Sequence, residues 1–178
     1  MRFEPTSIPG VVIVELEPHA DDRGYFARAY CPDEFVAAGF PFTPVQSSLS
    51  RNHAVRTLRG MHYQPASHGE AKLVRVVRGR IYDVALDLRP DSPTRLQWTA
   101  TELSADNGRA LLIPEGVAHG FLTLEPDSDI FYMIDRMFVP GHGRGVRWND
   151  PAFAIDWPAA PDVISPADAD LPDFITER

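Results

Sequence analysis

The segment from residue 43 to residue 136 constrains the fold of this chain most strongly. It consists of short apolar or alternating runs separated by Gly, Pro, Asn and Asp, which is the strand spacing typical of β-sandwiches and barrels. The predicted strands are Lys72 to Val77, Arg80 to Leu88, Gln97 to Leu103, Arg109 to Ile113, Ala118 to Thr123 and Asp129 to Arg136. The pattern therefore predicts an all-β fold.

The segments that flank these strands are less regular. Residues 11–16 and 25–30 are predicted strands, and residues 32–39 are a predicted short helix with acids in its first turn and a glycine at its end. The tail from Trp157 onward holds four prolines, so it should form short helical turns that pack on the barrel. A chain of 178 residues fits one domain, and we expect residues 1–178 to form one.

The predicted strand Arg80 to Leu88 has two different faces. Because successive side chains of a strand alternate, Asp83 and Asp87 share one face while Val84 and Leu86 share the other. One face of this sheet is therefore predicted to be apolar and the opposite face to carry acids. We expect Asp83 to serve a buried network rather than acid–base catalysis.

Composition argues against several classes of function. The net charge of −8 and the absence of a basic run argue against nucleic-acid binding, and no apolar run approaches the roughly 18 residues of a membrane span. The N-terminus lacks the basic start and apolar stretch of a secretory signal, so we expect a cytoplasmic protein. The single cysteine, Cys31, excludes an internal disulfide and a multi-cysteine metal site.

Positive charge is concentrated locally on this acidic chain. Arg59 and Lys72 lie on either side of His62, in an otherwise apolar, strand-forming context. Such a cluster predicts an anionic ligand. Because the chain has no nucleic-acid footprint, the predicted anion is a phosphate on a small molecule.

Residues 114–119 have the Pro-x-Gly-x-x-His form of the second cupin motif, a hairpin that brings a histidine to a barrel mouth. This motif favours a cupin-type double-stranded β-helix, or jelly roll, with short peripheral helices in the N- and C-terminal regions. A metal-binding cupin also needs a His-x-His pair and a following glutamate, since a bound ion requires three or four converging donors. Here Tyr63 and Gln64 follow His62, and Lys72 would repel a cation, so we expect no metal.

Five motifs together resemble the dTDP-4-dehydrorhamnose 3,5-epimerase family. They are Leu58-Arg59-Gly60-Met61-His62-Tyr63-Gln64, Lys72-Leu73-Val74-Arg75, Asp83-Val84-Ala85-Leu86-Asp87-Leu88-Arg89, Ile113-Pro114-Glu115-Gly116-Val117-Ala118-His119-Gly120-Phe121 and Trp148-Asn149-Asp150-Pro151. The match is collinear from about Asp21 to Asp168. It implies a metal-free, cofactor-independent jelly roll that forms a homodimer and epimerises a nucleotide-linked 4-keto-6-deoxy sugar in deoxysugar and polysaccharide biosynthesis.

The resemblance also implies roles for catalytic residues. Epimerisation beside a ketone removes a carbon-bound proton, forms an enolate and returns a proton to the opposite face of the sugar. His62 matches the base, and Asp168 matches the acid that orients it, with Asp170 as a plausible substitute. Tyr132 matches the residue that returns the proton, and Lys72 matches the cation that stabilises the enolate.

Further positions match substrate-binding residues of the family. Arg23 and Arg59 match diphosphate ligands, since a guanidinium fork fits phosphate oxygens, and His119 matches a substrate contact. The other predicted binding positions are Arg28, Gln46, Ser48 and Phe138.

The sequence departs from the family at several of these positions. Gln46-Ser47-Ser48 replaces Gln-Asp-Asn, Arg28 replaces a glutamate, Gly143 replaces an acid, and Ala167 stands where a lysine can occur. These changes alter the charge around the nucleotide, which leaves the carrier open.

Phe138 stands where many members have a second tyrosine, so its ring can stack but cannot donate a proton. Epimerisation at C3, at C5 or at both carbons is therefore open. Two further alternatives are a 3,4-ketoisomerase on the same scaffold and a sugar-nucleotide binding module without catalytic activity.

Overall fold

A computed structural model describes residues 1–174, most of which lie in or between short strands. The strands are β1 Arg2–Pro5, β2 Val12–Glu15, β3 His19–Asp21, β4 Gly24–Phe26, β5 Gln46–Asn52, β6 Thr57–Tyr63, β7 Lys72–Arg78, β8 Arg80–Asp87, β9 Trp98–Ser104, β10 Ala110–Ile113, β11 Val117–Thr123, β12 Ser128–Ile134, β13 Arg144–Gly145 and β14 Val163–Ile164. The helices are α1 Pro32–Ala37 and α2 Pro166–Ala169, and Ala66–His68 forms a 3-10 turn. None of the described helices is long and apolar enough to span a membrane.

The strands form two large sheets and a separate hairpin. The first sheet has the order β1-β2-β10-β7-β12-β5, the second has the order β13-β6-β11-β8-β9, and β14 pairs in parallel with β6. Among the described strands, β3 and β4 pair only with each other. The predicted all-β jelly roll with short peripheral helices is therefore confirmed.

The main core lies between the two sheets, and each sheet is also covered on its outer face. Apolar side chains of both sheets, among them Val74, Ile81 and Phe121, meet in the interior. Phe35 of α1 packs outside the first sheet, and Phe153 of the C-terminal segment packs outside the second. Burial on both faces explains why the central strands are mainly apolar.

Strand β8 has the predicted alternation, but its acidic face points into the barrel. Asp83 and Asp87 are fully buried, as are Val84 and Leu86 on the opposite face. The apolar face is covered by the C-terminal segment. The interior therefore contains carboxylates that need partners, since an unpaired buried charge is strongly unfavourable.

The predicted strands between residues 72 and 136 are confirmed, and their ends shift by at most two residues. The predicted strand over residues 25–30 ends earlier, at Phe26. The strands absent from the prediction are β1, β3, β5, β6, β13 and β14. Strand β5 has the sequence Gln-Ser-Ser-Leu-Ser-Arg-Asn, which lacks apolar alternation. It forms because its backbone pairs with β12 along its whole length.

Candidate active site

An irregularity in β6 brings two predicted site residues to the same face. His62 pairs with His119 and Arg59 pairs with Phe121, so three steps along β6 match two steps along β11. Because His119 and Phe121 share the interior face, this bulge points both Arg59 and His62 inward. It requires glycine at position 60, since a Cβ there would lie 2.5 Å from the Cα of Gly120.

His62 forms a pair with Asp168 across 106 residues of sequence. The Nε2 atom of His62 lies 2.6 Å from Oδ1 of Asp168, and the backbone N–H of Gly60 points to the other carboxylate oxygen at 3.4 Å. The hydroxyl of Ser165 accepts a hydrogen bond from the N–H of Asp168 and caps α2. Of the two acids considered from the sequence, Asp168 makes the contact, whereas Asp170 is exposed.

A second histidine–aspartate pair lies directly beside the first. Nε2 of His119 is 2.7 Å from Oδ1 of Asp83, and both side chains are almost completely buried. The ring of Tyr132 lies edge-on to His119, with 6.1 Å between ring centroids. Burial raises the pKa of Tyr132 strongly, and the Asp83 charge raises it further while Arg59 opposes this shift. Tyr132 therefore remains a protonated phenol.

Lys72 is held at the start of β7 by an acid that the sequence interpretation missed. Its Nζ lies 3.0 Å from Oε1 of Glu70, and the side chains are only 15% and 10% exposed. Glu70 belongs to an irregular segment between motifs. The sequence could have indicated this contact, because Glu70 lies two residues before a predicted strand lysine and side chains two residues apart lie on the same side of an extended chain.

Arg59 also has a partner that was missed. Its Nε donates a hydrogen bond of 2.8 Å to Oδ1 of Asn52, a buried residue at the end of β5. Ser48, on the same strand, pairs with Tyr132 and so lies on the interior face. Gln46 donates from Nε2 to the carbonyl oxygen of Arg136 at 2.6 Å.

Three predicted binding residues lie outside this cluster on the described chain. Arg23, on the exposed β3–β4 hairpin, forms an ion pair with Asp21, and Arg28 forms one of 2.7 Å with Glu34. Phe138, which follows β12, is 64% exposed. Within residues 1–174, no hydrogen bond or ion pair links these three residues to the two histidine–aspartate pairs.

The interior therefore combines a half-exposed histidine, a neutral phenol and a lysine. A neutral imidazole can accept a proton, a phenol can donate one, and an ammonium can stabilise an oxyanion. This set can move a carbon-bound proton beside a carbonyl. Among the described residues, no group of three or more His, Cys, Asp or Glu side chains is placed to hold a metal ion.

Comparison with known proteins identifies the family. The family model described as dTDP-4-dehydrorhamnose 3,5-epimerase matches residues 5–175. The enzyme of that name from Methanothermobacter thermautotrophicus is 42% identical over 158 residues, which are 88% of this chain and 84% of the relative.

Solved structures give the same result. A dTDP-4-dehydrorhamnose 3,5-epimerase from Bacillus anthracis, solved with TDP and PPi bound, superposes with a TM-score of 0.94 at 39% identity and covers 97% of this chain and 99% of its own. A 4-keto-6-deoxy sugar epimerase from Streptomyces spheroides gives 0.91 at 37% identity, with coverage of 96% and 86%. The predicted resemblance is thus confirmed, and the chain belongs to the dTDP-4-dehydrorhamnose 3,5-epimerase family of carbohydrate isomerases.

Proposed function

We propose that this enzyme inverts C3 and C5 of a dTDP-linked 4-keto-6-deoxyhexose. The observation that carries the proposal is the 2.6 Å pair of His62 and Asp168 at the mouth of a jelly roll whose interior also holds Tyr132. Family membership supplies the substrate class. We assign His62, paired with Asp168, as the base and Tyr132 as the acid.

The base step follows from the orientation of His62. Its Nε2 faces Asp168, so Nε2 carries the hydrogen and donates it to the carboxylate. The lone pair is then on Nδ1, which accepts the proton from the sugar carbon as the C–H bond breaks. The carboxylate stabilises the imidazolium that forms, and a positioned base of this kind contributes about 10²- to 10⁴-fold in rate.

The electron pair left by the proton moves into an enolate. We assign Lys72 to stabilise the negative charge on the former keto oxygen. Its Nζ lies 3.0 Å from Oε1 of Glu70, and an ammonium has three N–H donors, so donors remain available for the substrate. Tyr132 then gives its phenolic proton to the opposite face of the same carbon. Proton transfer from the imidazolium through solvent restores both residues, so the reaction is a balanced isomerisation.

The substrate anion is assigned to Arg59, with Arg23, Arg28, Gln46, Ser48, His119 and Phe138 as further contacts. Arg59 is solvent-accessible and lies on the same face of the second sheet as the buried His119, and these positions support the assignment most directly. A reducing, cytoplasmic location is part of the proposal and agrees with the free thiol of Cys31.

We further propose that the enzyme is a homodimer. Leu49 and Val77 are 64% and 52% exposed on the outer face of the first sheet, and Tyr25 and Phe26 of the hairpin are 61% and 79% exposed. Apolar groups of this kind are typical of an interface. Light scattering after size-exclusion chromatography should give twice the chain mass, whereas a monomeric mass at micromolar concentration would refute the dimer.

The function is tested by incubating the enzyme with dTDP-, CDP-, GDP- and UDP-linked 4-keto-6-deoxyhexoses in deuterated water. The expected product carries deuterium at C3 and C5 of the dTDP sugar, and His62→Ala should abolish incorporation. His53→Ala is the matched control, since His53 is exposed and pairs with Asp127 away from the site. Incorporation at a single carbon, a relocated ketone or binding without exchange would each replace the proposal with one of the alternatives.

A further inference from the structure

Arg59 differs from most arginines of the described chain in its partner. Nine others, including Arg23 and Arg28, have a carboxylate within ion-pair distance. Within residues 1–174, Arg59 has none, and its Nε instead donates to the neutral amide oxygen of Asn52. Its positive charge is therefore oriented without being cancelled.

The orientation of the Asn52 amide is fixed from the other side. Asn52 is 2% exposed and pairs with Ser128 across β5 and β12. Its Nδ2 donates a hydrogen bond of 3.2 Å to the carbonyl oxygen of Ser128. A carbonyl oxygen can only accept, so the nitrogen of the amide, and not its oxygen, must face Ser128. Oδ1 must consequently face β6, where it accepts from Arg59.

We infer that Asn52 is a positioning residue for the diphosphate of the substrate. By engaging Nε, it leaves the two terminal nitrogens of Arg59 to bind two phosphate oxygens side by side, which is the geometry that a guanidinium fork favours. An aspartate at this position would orient the same nitrogen but would neutralise the charge. This inference rests on the proposed function of Arg59.

A double-mutant cycle tests the inference, with calorimetric binding of dTDP as the probe. Asn52→Ala should weaken binding about 10-fold, as expected when a hydrogen bond that orients a charged group is lost. Arg59→Ala should weaken it further, and adding Asn52→Ala to Arg59→Ala should change nothing, because Asn52 acts through the guanidinium. The steady-state KM should rise with Asn52→Ala while kcat stays within about twofold.

Two controls keep the test decisive. Ser50→Ala removes a hydroxyl 3.4 Å from Asn52 Nδ2 but leaves the contact with Arg59, so its affinity should match wild type. If Asn52→Ala does not fold, Arg59→Lys serves as the second variant: it retains the charge but lacks both Nε and the terminal fork, so it should weaken binding at least about 10-fold.

Additive effects in the cycle, or equal affinity of wild type and Arg59→Lys, would overturn the role of Asn52. Such a result with normal deuterium incorporation would leave the proposed function intact. If the wild-type enzyme incorporates no deuterium, the proposed function itself is refuted.

Discussion

Asp168→Asn isolates the contribution of charge at the proposed base. The two side chains have nearly the same shape, and the asparagine oxygen can still accept the hydrogen on Nε2 of His62. The substitution therefore removes the negative charge that lies 2.6 Å from Nε2. With about 4 Å between charge centres and an effective dielectric constant of about 20, that attraction is worth about 4 kcal/mol.

Solvent reduces this value, because the His62 side chain is 51% exposed whereas that of Asp168 is 10% exposed. We expect about 1–3 kcal/mol to remain when the imidazolium forms. Since each 1.36 kcal/mol is tenfold in rate, kcat should fall by roughly 10- to 100-fold.

The assay is the rate of deuterium incorporation at saturating substrate, followed by NMR, with thermal unfolding as a check on the fold. Asp170→Asn is the matched control, since that residue is an exposed acid just beyond the same helix and its variant should retain full activity. Asp168→Asn within twofold of wild type, or a comparable loss in Asp170→Asn, would refute the role given to the pair.

Three further outcomes are expected. Lys72→Met should abolish activity and lower the free energy of unfolding by about 1–3 kcal/mol, because Glu70 is left unpaired. Adding Glu70→Gln should restore stability but not activity. Urea titration measures the stability, and the exchange assay measures the activity. Tyr132→Phe should lower inversion by about 10²- to 10⁴-fold, whereas exchange at the His62 face continues, so deuterated substrate of unchanged configuration should accumulate. Burial raises the pKa of Asp87, but hydrogen bonds from Arg89 and two hydroxyls hold it well below its ordinary value; this stabilisation is complete above about pH 4 and is lost as the pH falls further. Asp87→Asn should consequently be less stable at pH 7 and show a flatter decline of unfolding free energy in acid.

Local patterns predicted the strands whose side chains form the core. Strands β7 to β12 have apolar or alternating sequences, and their limits were predicted within two residues. Strand β5 was missed because its interior face carries polar side chains such as Ser48 and Asn52, and hydrophobic periodicity cannot detect such a strand. Its position follows from pairing with β12.

The same limit applies to the site. The resemblance to the family predicted His62, Lys72 and Tyr132 as site residues, but contacts between distant segments decide what each side chain meets. Asp168 reaches His62 because β14 pairs with β6 and places α2 beside it. Glu70 carried no recognisable motif, so its contact with Lys72 became apparent only in the folded chain.

Exposure, rather than residue type, separates the two histidine–aspartate pairs. His62 and His119 are direct cross-strand partners, and each has a carboxylate within 2.7 Å. The His62 side chain is 51% exposed and can exchange a proton with substrate and solvent, whereas that of His119 is 6% exposed. His119 is fixed by Asp83 and packs edge-on to Tyr132, so it helps to fix the position of the phenol ring. Because position 138 lacks a hydroxyl, the proposed return of the proton falls to Tyr132 at both carbons, so we expect Tyr132→Phe to impair inversion at C3 and C5 alike.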